Sequence, residues 1–178
     1  MNVPKPSFNL WTEPWITLET PDGSLRELSL EKTLKHAHEL RAIYDPSPLV
    51  IASIHRLLTA IVHDIIRPAR DEDLAEVWKA ERYAESEIHL FGERYAHRFD
   101  LFSRETPFLQ SADLPLEPEK RAPGMKPVSY LIEEIPAGTE VAHYRHGVAD
   151  DYVFCPVCAA RGLVTIPAFA TSGGAGIK

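Results

Sequence analysis

Residues 45–66, DPSPLVIASIHRLLTAIVHDII, form the most informative stretch of this sequence. Asp45-Pro46-Ser47-Pro48 is typical of a chain turning into a helix, because proline is well tolerated in the first helical turn. The following apolar positions are Leu49, Ile51, Ile54, Leu57, Leu58, Ile61, Val62, Ile65 and Ile66. Pro68 ends the pattern. The stretch predicts a long helix that is buried on most of its sides.

Upstream of this helix, residues 8–30 predict a β-hairpin. FNLWTEPWITLET and LRELSL both alternate apolar and polar residues, and the turn residues Pro21-Asp22-Gly23-Ser24 separate them. Pro14 places the first strand at an edge or a bend, since proline cannot donate to a strand ladder. Ser29 is a suitable N-cap for a short helix that ends before Pro46.

Downstream, the acidic residues 71–73 predict the start of another helix, where negative charge complements the helix dipole. Its buried stripe is expected to be Leu74, Val77, Trp78 and Tyr83. A further helix is predicted over residues 84–91, with an extension to residue 98 if Gly92 does not break it.

Residues 99–127 are expected to be loop-like, and residues 129–136, SYLIEEIP, allow either a short helix or a strand. Residues 152–154 and 162–168 predict two strands flanking a Cys-x-x-Cys turn. The predicted class is therefore α+β, with a β-hairpin, several helices and a cysteine turn in one domain over residues 1–178.

Composition excludes several classes of protein. The chain has 178 residues, 44% apolar and 25% charged, with a mean hydropathy of −0.19. No uninterrupted apolar run reaches the ~18 residues expected of a membrane span. The first residues, MNVPKPSFNLW, lack a signal-peptide apolar region, so a cytoplasmic location without membrane contact is expected. The formal net charge of −7 gives no support to nucleic-acid binding, so any such role must be local or shared with partners.

Cys155-Pro156-Val157-Cys158 is the sharpest local motif, because two thiolates at this spacing can hold one side of a zinc ion. A structural site needs four ligands, and this is half of one. Further donors nearby in the sequence are His143, His146, Asp150 and Asp151. A redox role is less favoured because no βαβ unit surrounds the motif, and two ordinary cysteines at a turn are the plain alternative.

Two other features allow more than one interpretation. His55 and His63 lie eight residues apart on the long helix with Asp64 adjacent, which would suit a metal-dependent hydrolase, although no HExxH pattern occurs. Structural histidines are the favoured alternative. Trp11 and Trp15 could stack on bases, and so could Trp78, but their spacing favours core packing.

Four segments resemble the CasA family of large subunits of type I-E CRISPR Cascade complexes. They are residues 8–16, FNLWTEPWI; residues 45–49, DPSPL, before the long helix; residues 106–110, TPFLQ; and Cys155-x-x-Cys158 followed by the glycine-rich residues 172–178. Each is weak alone, but their common order is specific.

The resemblance implies a mixed α/β N-terminal domain, with the family's C-terminal four-helix bundle absent because the chain stops inside the glycine loop. It implies a non-catalytic subunit of an RNA-guided antiviral complex. Such a subunit helps to read the protospacer-adjacent motif in double-stranded target DNA and recruits a helicase-nuclease. The implied partners are the other Cascade subunits and their guide RNA, and guide pairing reads the remaining target sequence.

The resemblance also implies site residues. The family's DNA-contacting loop maps to Tyr144, Arg145 and His146, about ten positions before the cysteine pair. The glycine loop maps to Gly173, Gly174 and Gly176, with Lys178 at its end; a flexible tail is the plain alternative. In members with zinc, a second cysteine pair completes the site, so Cys155 and Cys158 would be half of it here. The competing functions are a metal-dependent hydrolase or nuclease and a zinc-stabilised interaction domain.

Overall fold

A computed structural model of the chain describes residues 6–113, 128–132 and 153–169. In chain order its elements are β1 (Ile16–Glu19), β2 (Leu25–Leu28), α1 (Leu30–Lys35), β3 (Ala42–Ile43), α2 (Pro48–Ile66), α3 (Asp71–Ala80), α4 (Glu85–Tyr95) and α5 (Pro156–Phe169). Short 3₁₀ turns cover Ala37–Glu39, Ala96–Phe99 and Val128–Leu131. Helices packed against a small antiparallel sheet confirm the α+β class.

The hairpin is present but shorter than predicted. Strand β1 lies between β2 and β3, with Ile16 opposite Leu28. Gly23 adopts φ +83° in the turn that joins β1 to β2, a conformation that glycine adopts without steric cost. Residues 9–14 form a turn instead of a strand, because the N–H groups of Thr12 and Glu13 donate to the carbonyl of Asn9.

The predicted cap of α1 is confirmed. The backbone N–H of Lys32 donates to the Ser29 hydroxyl at 3.3 Å. This bond satisfies one of the donors that the first turn of a helix leaves unpaired.

Aromatic side chains form the centre of the core. Trp15 is fully buried, and its indole N–H donates to the carbonyl of Leu10 at 3.1 Å. Trp11 packs 5.2 Å from Phe91 and 5.8 Å from Phe99, measured between ring centroids. Core packing, not base stacking, is therefore confirmed for Trp11 and Trp15.

Gly92 allows this packing and does not break its helix, which continues to Tyr95. A Cβ atom on Gly92 would lie 2.6 Å from the indole nitrogen of Trp11. The glycine therefore lets the helix approach the indole more closely than any side chain would.

A β-bridge and hydrogen bonds to Asp100 hold the start of the chain. Asn9 bridges Asp100, and the Asp100 carboxylate accepts hydrogen bonds from the N–H of Phe8 and the hydroxyl of Ser7. Partial burial raises the pKa of Asp100, but hydrogen bonds from Phe102, Phe8 and Ser7 lower it by more, and the net pKa lies below its ordinary value. The carboxylate is thus the stable form in the fold.

Helix α2 has the predicted bounds but is not buried on most sides, and that prediction was wrong. Only Ser53, Ile54 and Ile61 are buried, because α4, α5 and β3 cover part of its surface. By length and composition α2 could cross a membrane. A single helix of this kind is weak evidence for a span, because central helices of soluble proteins have the same properties.

Helix α3 begins at the predicted acidic residues, but its predicted buried stripe was wrong. Leu74 is 49% exposed and Trp78 85% exposed. Val77 and Tyr83 are half-buried. None of the helix's ten residues is buried. The apolar spacing was correct, but no described element covers the stripe.

The predicted strand over residues 162–168 was also wrong, because these residues lie in α5. Residues 153–155, which include most of the other predicted strand, have no regular structure. Gly162 lies against the 3₁₀ turn, and a Cβ there would be 2.5 Å from the carbonyl oxygen of Leu131. The apolar segment packs against α2 and against this turn. Its sequence alone did not indicate these neighbours.

Candidate functional site

Helix α5 carries the candidate site. Cys155 immediately precedes it and Cys158 lies in its first turn. Arg161 follows one turn later, so the three side chains recur every three residues and lie on neighbouring parts of one face. This face meets the hairpin and the turn that precedes α2.

Arg161 attaches α5 to the sheet. Its Nε and one of its terminal nitrogens both donate to the carbonyl oxygen of Trp15, at 3.2 and 3.1 Å. The same terminal nitrogen donates to the Thr17 hydroxyl at 2.8 Å. The fork geometry of a guanidinium suits such multiple acceptors, which a lysine could not reach together. Arg161 therefore sets the position of α5 relative to β1.

A second contact of Arg161 reaches the Asp45-Pro46-Ser47-Pro48 turn. Its other terminal nitrogen lies 3.4 Å from the Asp45 carboxylate, whose side chain is only 8% exposed. Asp45 also accepts a hydrogen bond from the backbone N–H of Ser47 at 2.9 Å. One buried carboxylate thus connects the start of α2 with α5, and its charge has a partner.

The two cysteine sulfurs are hydrogen-bonded neighbours. The backbone N–H of Cys158 donates to the sulfur of Cys155 at 3.4 Å. That bond, with another from the Cys158 thiol, lowers the pKa of Cys155. The thiol bond to Cys155, followed by partial burial, raises the pKa of Cys158. The first thiolate therefore forms at Cys155.

The pair fits one edge of a zinc site and no more. Both thiols are free and exposed, and adjacent sulfurs are the donors that zinc prefers. Within residues 6–113, 128–132 and 153–169, no group of three histidine, cysteine or acidic side chains could hold a metal. The further donors named from the sequence, His143, His146, Asp150 and Asp151, lie outside the described residues.

The predicted DNA-contacting residues also lie outside the described ranges. They are Tyr144, Arg145, His146, Gly173, Gly174, Gly176 and Lys178. Their attachment points are described, because α5 starts after one predicted loop and ends at Phe169 before the other.

The alternative hydrolase site is not assembled in the described part of the chain. His55 and His63 are exposed on α2. The Asp64 carboxylate lies 3.3 Å from a terminal nitrogen of Arg67. Among these described side chains no group of three metal ligands forms.

The sequence analysis missed Arg161 and the pairing of Asp45. A single arginine within the apolar run from Pro156 to Phe169 was the available signal, since a charge in such a run needs a partner. Because residues 162–168 were predicted to form a strand, the need of Arg161 for a partner was not recognised.

The fold of this chain matches that of solved CRISPR-associated proteins. Residues 9–178 match the family described as CRISPR-associated protein Cse1. The chain belongs to the Cse1 family, and the CasA resemblance is confirmed.

Individual relatives agree with this assignment. The CRISPR-associated protein CasA/Cse1 of Thermus thermophilus is 35% identical over 93% of this chain and 32% of its own length. The crystal structure of Thermobifida fusca Cse1 matches with a TM-score of 0.76 at 34% identity, over 94% of this chain and 31% of that one. This chain therefore spans about a third of the length of these relatives.

A third structure shares the fold at lower identity. A chain from a CRISPR RNA-guided surveillance complex matches with a TM-score of 0.77 at 24% identity, over 94% of this chain and 35% of that one. The fold is thus common to proteins whose sequences have diverged widely.

Proposed function

We propose that this chain is the N-terminal part of the large subunit of an RNA-guided Cascade complex, with no catalytic role of its own. Membership of the Cse1 family supports this assignment, as does the shared fold with a chain of a surveillance complex. The other subunits and their guide RNA are its partners. A net charge of −7 suits a subunit that leaves most phosphate contacts to its neighbours.

Within that complex, the subunit helps to recognise the protospacer-adjacent motif and to recruit the helicase-nuclease. Two loops contact the DNA: Tyr144, Arg145 and His146 form one, and the glycine segment up to Lys178 forms the other. Arg145 meets a phosphate, and Tyr144 inserts at the step where the duplex opens. Gly173, Gly174 and Gly176 have no Cβ and allow backbone approach to the minor groove.

The observation that carries this proposal is the attachment of α5 between the two loops. Helix α5 has 14 residues and is about 21 Å long. Nine residues, 147–155, separate His146 from Pro156, and nine residues reach about 30 Å when extended. The first loop is therefore long enough to meet the glycine segment at the far end of α5, so both can contact one stretch of duplex.

Arg161 makes α5 a fixed support for these loops. A helix held by its guanidinium at the Trp15 carbonyl and at Asp45 cannot slide along the sheet without breaking several bonds at once. Binding loops on rigid supports lose less entropy on contact with their target.

Zinc is part of the proposal at Cys155 and Cys158. Bound there, the ion would crosslink the start of α5 to two further ligands and would contribute folding free energy, not chemistry. The hydrogen bonds that lower the pKa of Cys155 favour the thiolate that a metal ion needs.

The test compares Tyr144→Ala and Arg145→Ala in the assembled complex with the wild type. We expect each to weaken binding of a duplex carrying the motif about tenfold, which is the scale of one good stacking or charged contact. Arg145→Ala should also reduce the slope of log affinity against log salt by about one, while Tyr144→Ala should leave it unchanged. Affinity is measured by gel shift across a salt series.

Matched controls are Tyr44→Ala and Arg26→Ala, whose side chains are exposed on or beside the sheet. Their affinities should stay within about twofold of wild type. Unchanged binding by both loop variants would overturn the DNA role and favour a zinc-stabilised interaction domain. Hydrolysis of DNA that is abolished by His63→Ala would favour the hydrolase instead.

A further inference from the structure

The first turn of α5 is capped by a sulfur atom. Cys155 is the N-cap residue, because its carbonyl oxygen accepts the first helical bond, from the N–H of Ala159 at 3.0 Å. Pro156 occupies the first helical position, where a missing N–H is tolerated. The N–H of Cys158 donates to the sulfur of Cys155 at 3.4 Å. The sulfur therefore takes the place that a serine or aspartate oxygen has in an ordinary N-cap.

This cap brings the two cysteine sulfurs together. The Cys158 thiol is near enough to donate to the sulfur of Cys155. In a disulfide the Cβ atoms lie about 3.5–4.5 Å apart, against about 5–6 Å for residues three apart on a regular helix. Because an N-cap residue has non-helical backbone angles, Cys155 can close this difference of about 1–2 Å without unwinding α5. A disulfide between the two cysteines is therefore sterically accessible.

The surroundings of the pair favour reaction at sulfur. Both thiols are free and exposed, so a small reagent can reach them. The positive end of a 14-residue helix stabilises a negative sulfur, the form of cysteine that attacks disulfides. No βαβ unit surrounds the pair, which argues against a thioredoxin-like fold, but this chemistry needs only the helix start and the spacing. The sequence has two cysteines in all, so each is the other's sole partner within the chain.

We propose that Cys155 and Cys158 form a reversible thiol–disulfide couple that exchanges with a small disulfide such as glutathione disulfide. The thiolate of Cys155 attacks one sulfur of that reagent, a mixed disulfide forms, and the first glutathione leaves and takes up a proton. The Cys158 sulfur then attacks the sulfur of Cys155, loses its own proton, and displaces the second glutathione. The two cysteines together lose two electrons and two protons, and glutathione disulfide becomes two thiols.

The couple shares its sulfurs with the proposed zinc site but rests neither on zinc nor on DNA recognition. Zinc needs deprotonated cysteine, and the sulfurs of a disulfide have no thiolate to offer. Oxidation therefore removes both ligands at once, and bound zinc protects them from oxidation. In a reducing compartment such disulfides are usually transient and respond to changes in redox conditions.

The test equilibrates the metal-free chain in buffers of glutathione and glutathione disulfide. N-ethylmaleimide then blocks the remaining thiols, and the intact mass is measured. We expect the oxidised chain to carry no maleimide and no glutathione, and to be lighter than the reduced chain by two hydrogen atoms before blocking. Excess reduced glutathione should restore both reactive thiols.

Cys155→Ser and Cys158→Ser are the matched variants, each with one thiol left. Each should retain one glutathione as a mixed disulfide, because no second thiol displaces it. In millimolar glutathione the oxidised fraction of the wild type should exceed that of either variant at least about tenfold, since its second step is intramolecular. Serine is itself a good N-cap, so Cys155→Ser should keep the helix start, and far-UV circular dichroism checks both variants.

Three outcomes overturn the proposal. They are glutathione retained on the oxidised wild type, a disulfide-linked dimer on a non-reducing gel in place of the internal bond, and an oxidised fraction no greater in the wild type than in the variants. A zinc arm separates the couple from the zinc site. Oxidation that excess zinc slows supports both, whereas oxidation at the same rate with and without zinc supports the couple and contradicts the zinc site.

Discussion

The hairpin core and the apolar stripe of α3 both contain tryptophan and leucine, but these side chains are buried in the core and exposed on α3. Trp11 and Trp15 sit beneath residues that are distant in sequence, and both are buried. Trp78 follows an equally regular apolar pattern, yet it is 85% exposed. The contrast shows that periodicity determines where a helix forms, whereas burial depends on which other element reaches its apolar face.

The largest expected effect is that of Trp15→Ala. Because Trp15 is fully buried and bonded to Leu10, its loss should lower the free energy of unfolding by about 3–5 kcal/mol. Trp78→Ala should change it by no more than about 0.5 kcal/mol, as expected for an exposed side chain. Urea unfolding followed by far-UV circular dichroism measures both.

A destabilisation by Trp78→Ala as large as that by Trp15→Ala would break the comparison. The apolar stripe of α3 would then contribute to the core as Trp15 does.

A smaller effect is expected for Arg161→Met, which keeps the side chain's length but removes its charge. The change leaves the Asp45 carboxylate without its charged partner, and we expect a loss of about 2–3 kcal/mol in the free energy of unfolding. Arg41→Met is the control, because Arg41 pairs with Glu19 at 3.0 Å but is 64% exposed. Its loss should not exceed about 0.5 kcal/mol in the same urea assay.

Adding Asp45→Asn would sharpen this result. If Arg161 acts through that carboxylate, the double variant should lose less than the sum of the two single losses. Additive losses would instead assign the effect to the contacts of Arg161 with Trp15, Thr17 and Glu27.

The smallest expected effect concerns Asp22 in the hairpin turn. Hydrogen bonds from the Thr20 hydroxyl, and then from the backbone and hydroxyl of Ser24, lower the pKa of Asp22 from 3.8 to about 2. A lowered pKa in the folded chain adds stability above pH ~4, and that stability is lost as the pH falls towards 2. Asp22→Asn should therefore lower the thermal midpoint at pH 7, with a difference that shrinks between pH 4 and pH 2.

Glu76→Gln, on the exposed surface of α3, is the comparison for this experiment. It should show no such narrowing between pH 4 and pH 2. A difference for Asp22→Asn that stayed constant over this range would contradict the role of its carboxylate.

Features that depend on local chemistry were predicted from the sequence. The Ser29 cap, the turn at Gly23 and the span of α2 each follow from residues within a few positions of one another. The strand prediction for residues 162–168 failed because an apolar run of this length has no period that separates strand from buried helix.

In the candidate site, too, the local feature could be predicted from the sequence and the long-range contact could not. The cysteine spacing identified Cys155 and Cys158 directly, because both belong to one turn of chain. The role of Arg161 could not be predicted, since its acceptor at Trp15 is 146 positions away and is a backbone carbonyl that no side-chain pattern marks. Its assignment required the packed fold.

The β-bridge between Asn9 and Asp100 affects folding during synthesis on the ribosome. Residues 10 and 11 can bond to residues 30 and 31 soon after these emerge. The bonds of Ser7, Phe8 and Asn9 to Asp100 form only after residue 100 has left the exit tunnel. At about 5–20 residues per second, that interval is roughly 5–20 s. During this time the aromatic side chains at positions 11 and 15 are accessible to chaperones, and translation speed through the intervening helices sets how long they are exposed.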